Sequence, residues 1–331
     1  MALLGKQAYR KSKPTAISTQ NFGCANWRIA LERMEGAYSA NTIRSYRADF
    51  TIFTAWCKYN SKSVFPATPE VVAEFVLAQS KISSPATVSR RCAAIVKIHR
   101  LLGFENPCRS EVVNIALRRV FRQQSRRQNQ ALGLTNNLKQ ELIRHCPNSL
   151  QGLRDRALIT TGYDTLCRRA ELVLLQIEDL LISPDCSGSV LSRRSKSDQC
   201  GDGRLCYLSS ETVSALRRWL EAAKLNAGPI FRGIRGTAPL PVALHPYSVV
   251  RIIKRYAAAA NLAEITISRL SGHSMRVGAA QDMATAGIDL GAIMHAGGWK
   301  SPHIVMRYIE YSDINKSGMA RLYSRSFPSK V

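Results

Sequence analysis

The feature that most restricts the fold of this chain is the punctuation of its first third. Thr68-Pro69-Glu70 and Ser84-Pro85 each place a capping hydroxyl ahead of a proline, and Ser110-Glu111 places one ahead of an acid. Such a hydroxyl satisfies a free N–H at a helix start, a first-turn proline gives up no hydrogen bond, and an acid meets the positive end of the helix dipole. Gly36 and Gly103 stand where helices end. Between these signals apolar residues recur at helical spacing, as in Ile43, Tyr46, Phe50, Phe53 and Trp56 after the cap Ser39. The pattern predicts helices ending at Gly36, starting at Ser39, covering 71–79, running from Ser84 to Gly103, and running from Ser110 through Arg122.

Residues 123–130 are polar, basic and nearly free of apolar side chains, as expected of a linker. The chain therefore divides into a flexible basic arm (1–17), a helical domain (18–122), that linker, and a second domain (131–331). The second domain mixes element types. Residues 153–162 pattern as a helix, Tyr163-Asp164-Thr165 as a turn, and 168–175 as a further helix. Strands are expected over 177–182, 190–194 and 205–208, with a turn at 183–188 and a connection at 195–203 headed by Lys196. A capped helix carrying Val213, Leu216 and Leu220 follows, then a Gly/Pro-rich loop over 228–241, then helices from Pro246 onward. The expected class is mainly α, with a small antiparallel sheet inside a mostly helical second domain.

The balance of 47 Lys and Arg against 23 Asp and Glu gives a formal charge of +24, an excess that calls for a polyanionic partner. Arginine pairs occur in both halves, from Arg90-Arg91 to Arg217-Arg218, whereas a membrane-surface protein would gather them in one stretch. No apolar run is long enough to span a bilayer, and no signal-peptide segment opens the chain. Nucleic acid is the expected partner. The nine cysteines are scattered with no Cys-x-x-Cys pair, so reduced thiols in a cytoplasmic compartment are expected, and no metal or cofactor. Arg44, Arg47, Arg90, Arg91 and Lys97 in the first domain are the candidate DNA contacts there, and Tyr247, Arg251, Lys254 and Arg255 in the second.

The residues suited to chemistry gather from Gly272 to Tyr311. His273 and Arg276, one helical turn apart near a helix start, can face an anion together, with Gly272 and Gly278 allowing close backbone approach. Arg168 and Glu171 share that spacing, either as a surface ion pair or as a guanidinium held by a carboxylate for phosphate binding, with Arg169 a rival. Lys196 is either an ordinary turn lysine or a proton donor at a hairpin tip. Ile304, Val305, Tyr308 and Ile309 fall on one stripe, so Tyr308 alone reads as a core aromatic, and Trp299 as packing.

Taken in order, Arg168-x-x-Glu171, Lys196, His273-x-x-Arg276, Trp299 and Tyr308 resemble the active site of tyrosine recombinases, most closely the Cre-like branch. Residues 272–280, 296–299 and 304–309 carry the match, with weaker similarity at Ala55-Trp56-Cys57-Lys58 and Phe65-Pro66-Ala67. The resemblance implies an N-terminal SAM-like core-binding domain and a C-terminal catalytic domain that close as a clamp around double-stranded DNA. It implies that Tyr308 attacks the scissile phosphate to give a 3′-phosphotyrosine, that Arg168 and Arg276 hold the non-bridging oxygens, and that Lys196 protonates the leaving 5′-oxygen. His273 assists proton transfer, Trp299 donates its indole N–H, and Glu171 supports the arginine. The implied protein is a monomer in solution and a homotetramer on two inverted-repeat sites, linked by a helix over 316–323 and passing through a Holliday junction. This chain has Leu166 where many integrases have glycine, and Cys167, beside Arg168, is a point of oxidation sensitivity. A catalytically silent DNA-binding regulator and a type IB topoisomerase-like nicking enzyme are the other classes. The intact residue set argues against the first and the oligomerisation tail against the second.

Overall fold

In the computed structural model, which describes residues 26–123, 130–193 and 203–310, the capping hydroxyls act where the sequence puts them. Ser39, Thr68 and Ser84 accept from the N–H groups of Thr42, Val71 and Thr87. They open α2 (Ala40–Tyr59), α3 (Pro69–Ser80) and α4 (Pro85–Leu101), which follow α1 (Asn26–Glu32) and precede α5 (Glu111–Gln123). Phe50, Phe53, Phe75, Ile95 and Ile98 are fully buried between them, each contributing about 1.5–3 kcal/mol through lost apolar exposure. Trp27 meets Phe50 edge-on at 5.0 Å, and Phe53 meets Phe75 at 5.1 Å.

His99 is buried at the centre of this unit. Its Nε2 accepts from Ala67 N–H (3.2 Å), so the proton sits on Nδ1, which donates to the Ile95 carbonyl (2.9 Å). Burial holds its pKa below the ordinary 6.5, because a second proton would have no acceptor and no water.

The chain divides between Gln128 and Asn129 into two compact units. The second unit comprises α6 (Asn136–Arg144), α7 (Leu150–Thr165), α8 (Arg169–Leu172), β1 (Leu180–Ile182), β2 (Gly188–Ser192), β3 (Arg204–Leu208) and α9 (Ser210–Ala222). It continues through β4 (Arg232–Arg235), β5 (Ala238–Ala243), α10 (Pro246–Ala259), α11 (Glu264–Arg269), α12 (Ser274–Thr285), α13 (Leu290–Gly297) and α14 (Pro302–Ile309). β1, β2 and β3 form an antiparallel sheet in that order, and β4 pairs with β5. α7 runs through the middle, packed by α9, β3 and α12, so Ala157, Leu158, Ile159, Thr160 and Thr161 are buried around its whole circumference. The Trp219 indole donates to the Ile230 carbonyl (2.8 Å), joining α9 to the segment before β4.

Four local expectations change. Tyr163-Asp164-Thr165 belongs to α7, because Asp164 accepts from Ser209 N–H (2.7 Å) and the Thr165 hydroxyl bonds back to Thr161 (2.7 Å). The helix expected over 168–175 is the single turn α8. The first strand begins only at Leu180, after a 3-10 turn at Ile177–Asp179. The loop expected over 228–241 contains β4 and part of β5, where Pro239 and Pro241 fit because only one side of β5 is paired. The arm at 1–17, residues 124–129 of the linker, Lys196 and the 316–323 helix lie outside the described residues. Among the described residues no helix is long and apolar enough to cross a membrane.

The lowered pKa of His99 gives a pH dependence of defined sign. Its contribution is complete above the ordinary value of 6.5 and is lost as pH falls from there towards the folded value, since the unfolded chain takes the proton first. The thermal midpoint should therefore drop more steeply between pH 7.5 and 5 for the wild type than for His99→Gln. At pH 7.5 that variant should be destabilised by about 1–3 kcal/mol. Equal slopes for the two proteins would contradict the assignment.

Candidate catalytic site

The site begins where α7 stops. Leu166 takes the left-handed conformation (φ 51°), which costs a residue with a β-carbon about 1–2 kcal/mol. Its side chain is buried in a cluster with Ala279, Ala280, Ile293, Trp299 and Val305, which offsets that cost. The turn directs the Leu166 carbonyl at Arg276, the third residue of α12.

Arg276 is 2% exposed. Its guanidinium donates to the carbonyls of Leu166 and Gly297 (2.8 Å to the latter) and lies 4.0 Å from the centre of the Trp299 ring. Burial first, and the charge of Arg168 second, push its pKa down to about 10, so it stays protonated at neutral pH. Tyr308 and Glu171 lie within electrostatic reach and oppose that shift.

Arg168 follows the Leu166 turn by two residues. The Glu171 carboxylate accepts from the Arg168 backbone N–H (2.9 Å) and from its guanidinium (2.7 Å), so one buried carboxylate fixes both the start of α8 and the side chain. Arg169 turns away, with its guanidinium 4.5 Å from the Tyr247 ring centre and its stem against Gly272. Of the two candidates, Arg168 is the one that meets Glu171.

His273 occupies the N-cap position of α12, and its backbone N–H donates to Ser271 Oγ (3.1 Å). Loss of water around the ring, then the charges of Arg276, Arg168 and Arg169, hold its pKa below the usual 6.5. The imidazole is neutral at pH 7 and can accept or pass a proton. Trp299 is 6% exposed and meets Tyr308 edge-on at 5.8 Å and 61°. Gln281 of α12 donates to the Tyr308 carbonyl (3.1 Å), tying α14 to the helix that carries Arg276.

Arg168, Glu171, His273, Arg276, Trp299 and Tyr308 are thus brought together from α7 through α14. Lys196 lies outside the described residues, in the connection between β2 and β3 whose base is the pair Ser192 and Arg204. Two residues that the sequence patterns do not reveal also belong to the site. They are Gln281, and Arg204, which donates to the Ala296 (2.5 Å) and Thr165 (2.8 Å) carbonyls. Neither sits in a spacing motif. Gly278 does permit a close backbone approach, but of the chain itself: Leu134 N–H donates to the Ser274 carbonyl (2.7 Å) as that segment crosses α12.

Of the candidate DNA contacts, Arg44 and Arg47 are exposed on α2, and Arg90 is half-exposed and paired with the buried Asp49 (2.8 Å). Lys97 donates to the Tyr38 hydroxyl (2.7 Å). Arg91 departs from the expected exposed face. Its side chain is 11% exposed and donates to Gln79 and Ser83, because one helical position beyond Arg90 points it at α3. On α10, Tyr247 is 62% exposed, Arg251 bonds to Ser248 (3.0 Å), Lys254 to the Ser268 carbonyl (3.5 Å), and Arg255 to buried Asp155 (3.4 Å). Among the described residues no group of His, Cys, Asp and Glu is placed to hold a metal ion.

The family model described as "Phage integrase family" matches residues 133–314, and that for "Phage integrase, N-terminal SAM-like domain" matches residues 31–106. The chain is 33% identical over 317 residues to an integrase/recombinase XerD homolog of Selenomonas ruminantium, covering 91% of each. It is 28% identical over 306 residues to the recombinase Cre of Escherichia phage P1, covering 86% of this chain and 88% of that one. In fold it is similar to the XerH site-specific recombinase bound to palindromic difH substrate, with TM-score 0.62 and 19% identity over 85% of this chain and 80% of that one. The Tn1549 transposon integrase in complex with a circular intermediate DNA gives 0.63 and 16% over 91% and 98%.

The crossing at Gly278 tests how tightly the site is held. A β-carbon there would lie 2.0 Å from the Leu134 carbonyl oxygen and 2.5 Å from Thr135 N, both backbone atoms that cannot swing aside. Gly278→Ala should lower stability in urea unfolding by about 2–3 kcal/mol. A change below about 0.5 kcal/mol, the scale of ordinary surface substitutions, would contradict this packing.

Proposed function

The chain belongs to the phage integrase family of tyrosine recombinases, which are DNA breaking and rejoining enzymes, and from that premise we propose that Tyr308 is the nucleophile of a site-specific recombination reaction. The observation that carries this reading is the placement of Tyr308 beside Trp299 and within electrostatic reach of the buried, protonated Arg276.

The Tyr308 oxygen attacks the scissile phosphorus, the bond to the 5′-oxygen breaks, and a 3′-phosphotyrosine and a free 5′-hydroxyl result. One phosphodiester replaces another, so the bond energy is kept for religation. Phenol has an ordinary pKa of about 10, so the attack needs a positive site or a base to draw off its proton. Arg276 and Arg168 supply the positive field and bind the non-bridging oxygens, on which charge grows in the transition state. Glu171 keeps the Arg168 fork oriented. His273, neutral at pH 7, takes part in proton transfer. Lys196 delivers a proton to the leaving 5′-oxygen, and Trp299 closes the site on one side.

Two such exchanges, joined by a Holliday junction, recombine a pair of inverted-repeat sites bound by a homotetramer. The exposed Arg44, Arg47 and Arg90 of the first unit, and Tyr247, Arg251, Lys254 and Arg255 on α10 of the second, are the side chains offered to duplex DNA.

The test uses duplexes that the full chain selects from a randomised pool, nicked beside the cleavage position to trap the intermediate. Wild type should give a denaturation-resistant protein–DNA adduct and Tyr308→Phe none, while Arg168→Ala should form it about 10²–10³-fold more slowly. An adduct with Tyr308→Phe, or none with wild type, overturns the reading.

A further inference from the structure

Arg204 occupies a position in the site that the chemistry above does not use. It is the first residue of β3, and its guanidinium reaches across to two helix ends. It donates to the carbonyl of Thr165, the last residue of α7, and to that of Ala296, the penultimate residue of α13. Carbonyls in a last helical turn lack partners within the helix and gather negative charge, so a cation between two such ends is favoured by both.

Arg276 makes the same bridge one residue further along each chain, to Leu166 and Gly297. The two guanidiniums therefore staple the same pair of segments at consecutive residues, Arg276 from α12 and Arg204 from the sheet. One segment leads within three residues to Arg168. The other leads within three residues to Trp299. The packing is built for this approach: at Gly298, in the left-handed conformation (φ 63°), a β-carbon would lie 2.9 Å from Arg204 Cδ. The Nη2 that meets Thr165 also donates to the Cys167 sulfur (3.6 Å).

We propose that Arg204 is a positioning residue for strand cleavage, holding the main chain ahead of Arg168 and Trp299 so that Arg168 and Arg276 converge on the phosphate. Its described side-chain hydrogen bonds go to two backbone carbonyls and to the Cys167 sulfur, all within these segments, so it acts through them and not on DNA. Without it the two carbonyls lose their partner, Arg276 alone joins the helix ends, and the phosphate-binding guanidiniums drift from alignment. The proposal rests on the phosphate-binding role given above to Arg168.

The experiment compares wild type, Arg204→Ala, Arg204→Lys and Arg168→Ala on the selected nicked duplex. The scissile position carries either an ordinary phosphate or an uncharged methylphosphonate. The neutral group no longer needs cations to offset charge on its oxygens, so a defect transmitted through the phosphate-binding guanidiniums shrinks on it, whereas a general loss of folded protein does not. On phosphate, Arg204→Ala should cleave about 10²-fold more slowly, the scale of a misplacement near 1 Å, with DNA affinity kept within about threefold. Arg204→Lys, which can still meet one carbonyl, should recover about tenfold of that loss. On methylphosphonate the deficits of Arg204→Ala and Arg168→Ala should both fall to about threefold or less.

Cleavage of phosphate by Arg204→Ala at the wild-type rate, or a deficit undiminished on methylphosphonate, overturns the positioning role. Should Arg204→Ala fail to fold, Arg204→Lys carries the same comparison: its smaller deficit must also vanish on methylphosphonate. Full activity of Arg168→Ala on phosphate overturns the phosphate-binding reading instead, whatever Arg204 does.

Discussion

A buried positive charge sets the geometry of the second unit. Removing a guanidinium from water costs several kcal/mol, and the fold recovers this only by aiming fixed partners at it. For Arg276 those partners are the Leu166 and Gly297 carbonyls and the face of Trp299. Each carbonyl is available because a helix stops there, and each stop requires a left-handed residue, Leu166 after α7 and Gly298 after α13. Many integrases resembling this chain carry glycine at the first of these positions. Leucine accepts backbone strain there in return for a side chain packed among Ala279, Ile293 and Trp299, the cluster on which the tyrosine helix rests.

The remaining site residues follow from that arrangement. The turn at Leu166 delivers Arg168 to its place, where Glu171 bonds both the main chain and the guanidinium. The end of α13 delivers Trp299, whose ring lies between Arg276 and Tyr308. Gln281 ties the tyrosine's backbone to the helix bearing Arg276. Arg168 lies within electrostatic reach of Arg276, and lost hydration first, with the charges of Arg276, Arg168 and Arg169 second, holds His273 below the ordinary histidine pKa. The first unit has a different foundation. Its centre is a set of aromatic rings around a neutral histidine, and Arg44, Arg47 and Arg90 stand exposed on its surface.

The helices of the first unit were legible because their signals are local: a hydroxyl, a proline or acid, and an apolar stripe act within a few residues of one another. The misreadings arose where distant partners decide. Asp164 looks like a turn residue, yet Ser209, 45 positions on, donates to its carboxylate and holds it in the helix. The β4–β5 hairpin hides behind glycines and prolines that edge strands tolerate. Arg90 and Arg91 are neighbours in sequence, and only the position of Gln79 on α3 separates an outward side chain from an inward one. The catalytic candidates were legible as an ordered set, although Tyr308 and Trp299 singly looked like packing. Arg204 and Gln281 were not legible, since a guanidinium bonded to two carbonyls, or an amide bonded to one, leaves no spacing in the sequence.

The chemistry proposed for Tyr308 turns on a covalent bond between one phenolic oxygen and one DNA end. Trapped adduct can be trimmed with nuclease and protease and the modified peptide sequenced by mass spectrometry, while the released strand is tested for a terminus that a kinase can phosphorylate. The expected products are a nucleotide joined through its 3′-phosphate to Tyr308 and a released strand ending in a 5′-hydroxyl. A nucleotide on any other residue, or a linkage through the 5′-phosphate, would contradict it.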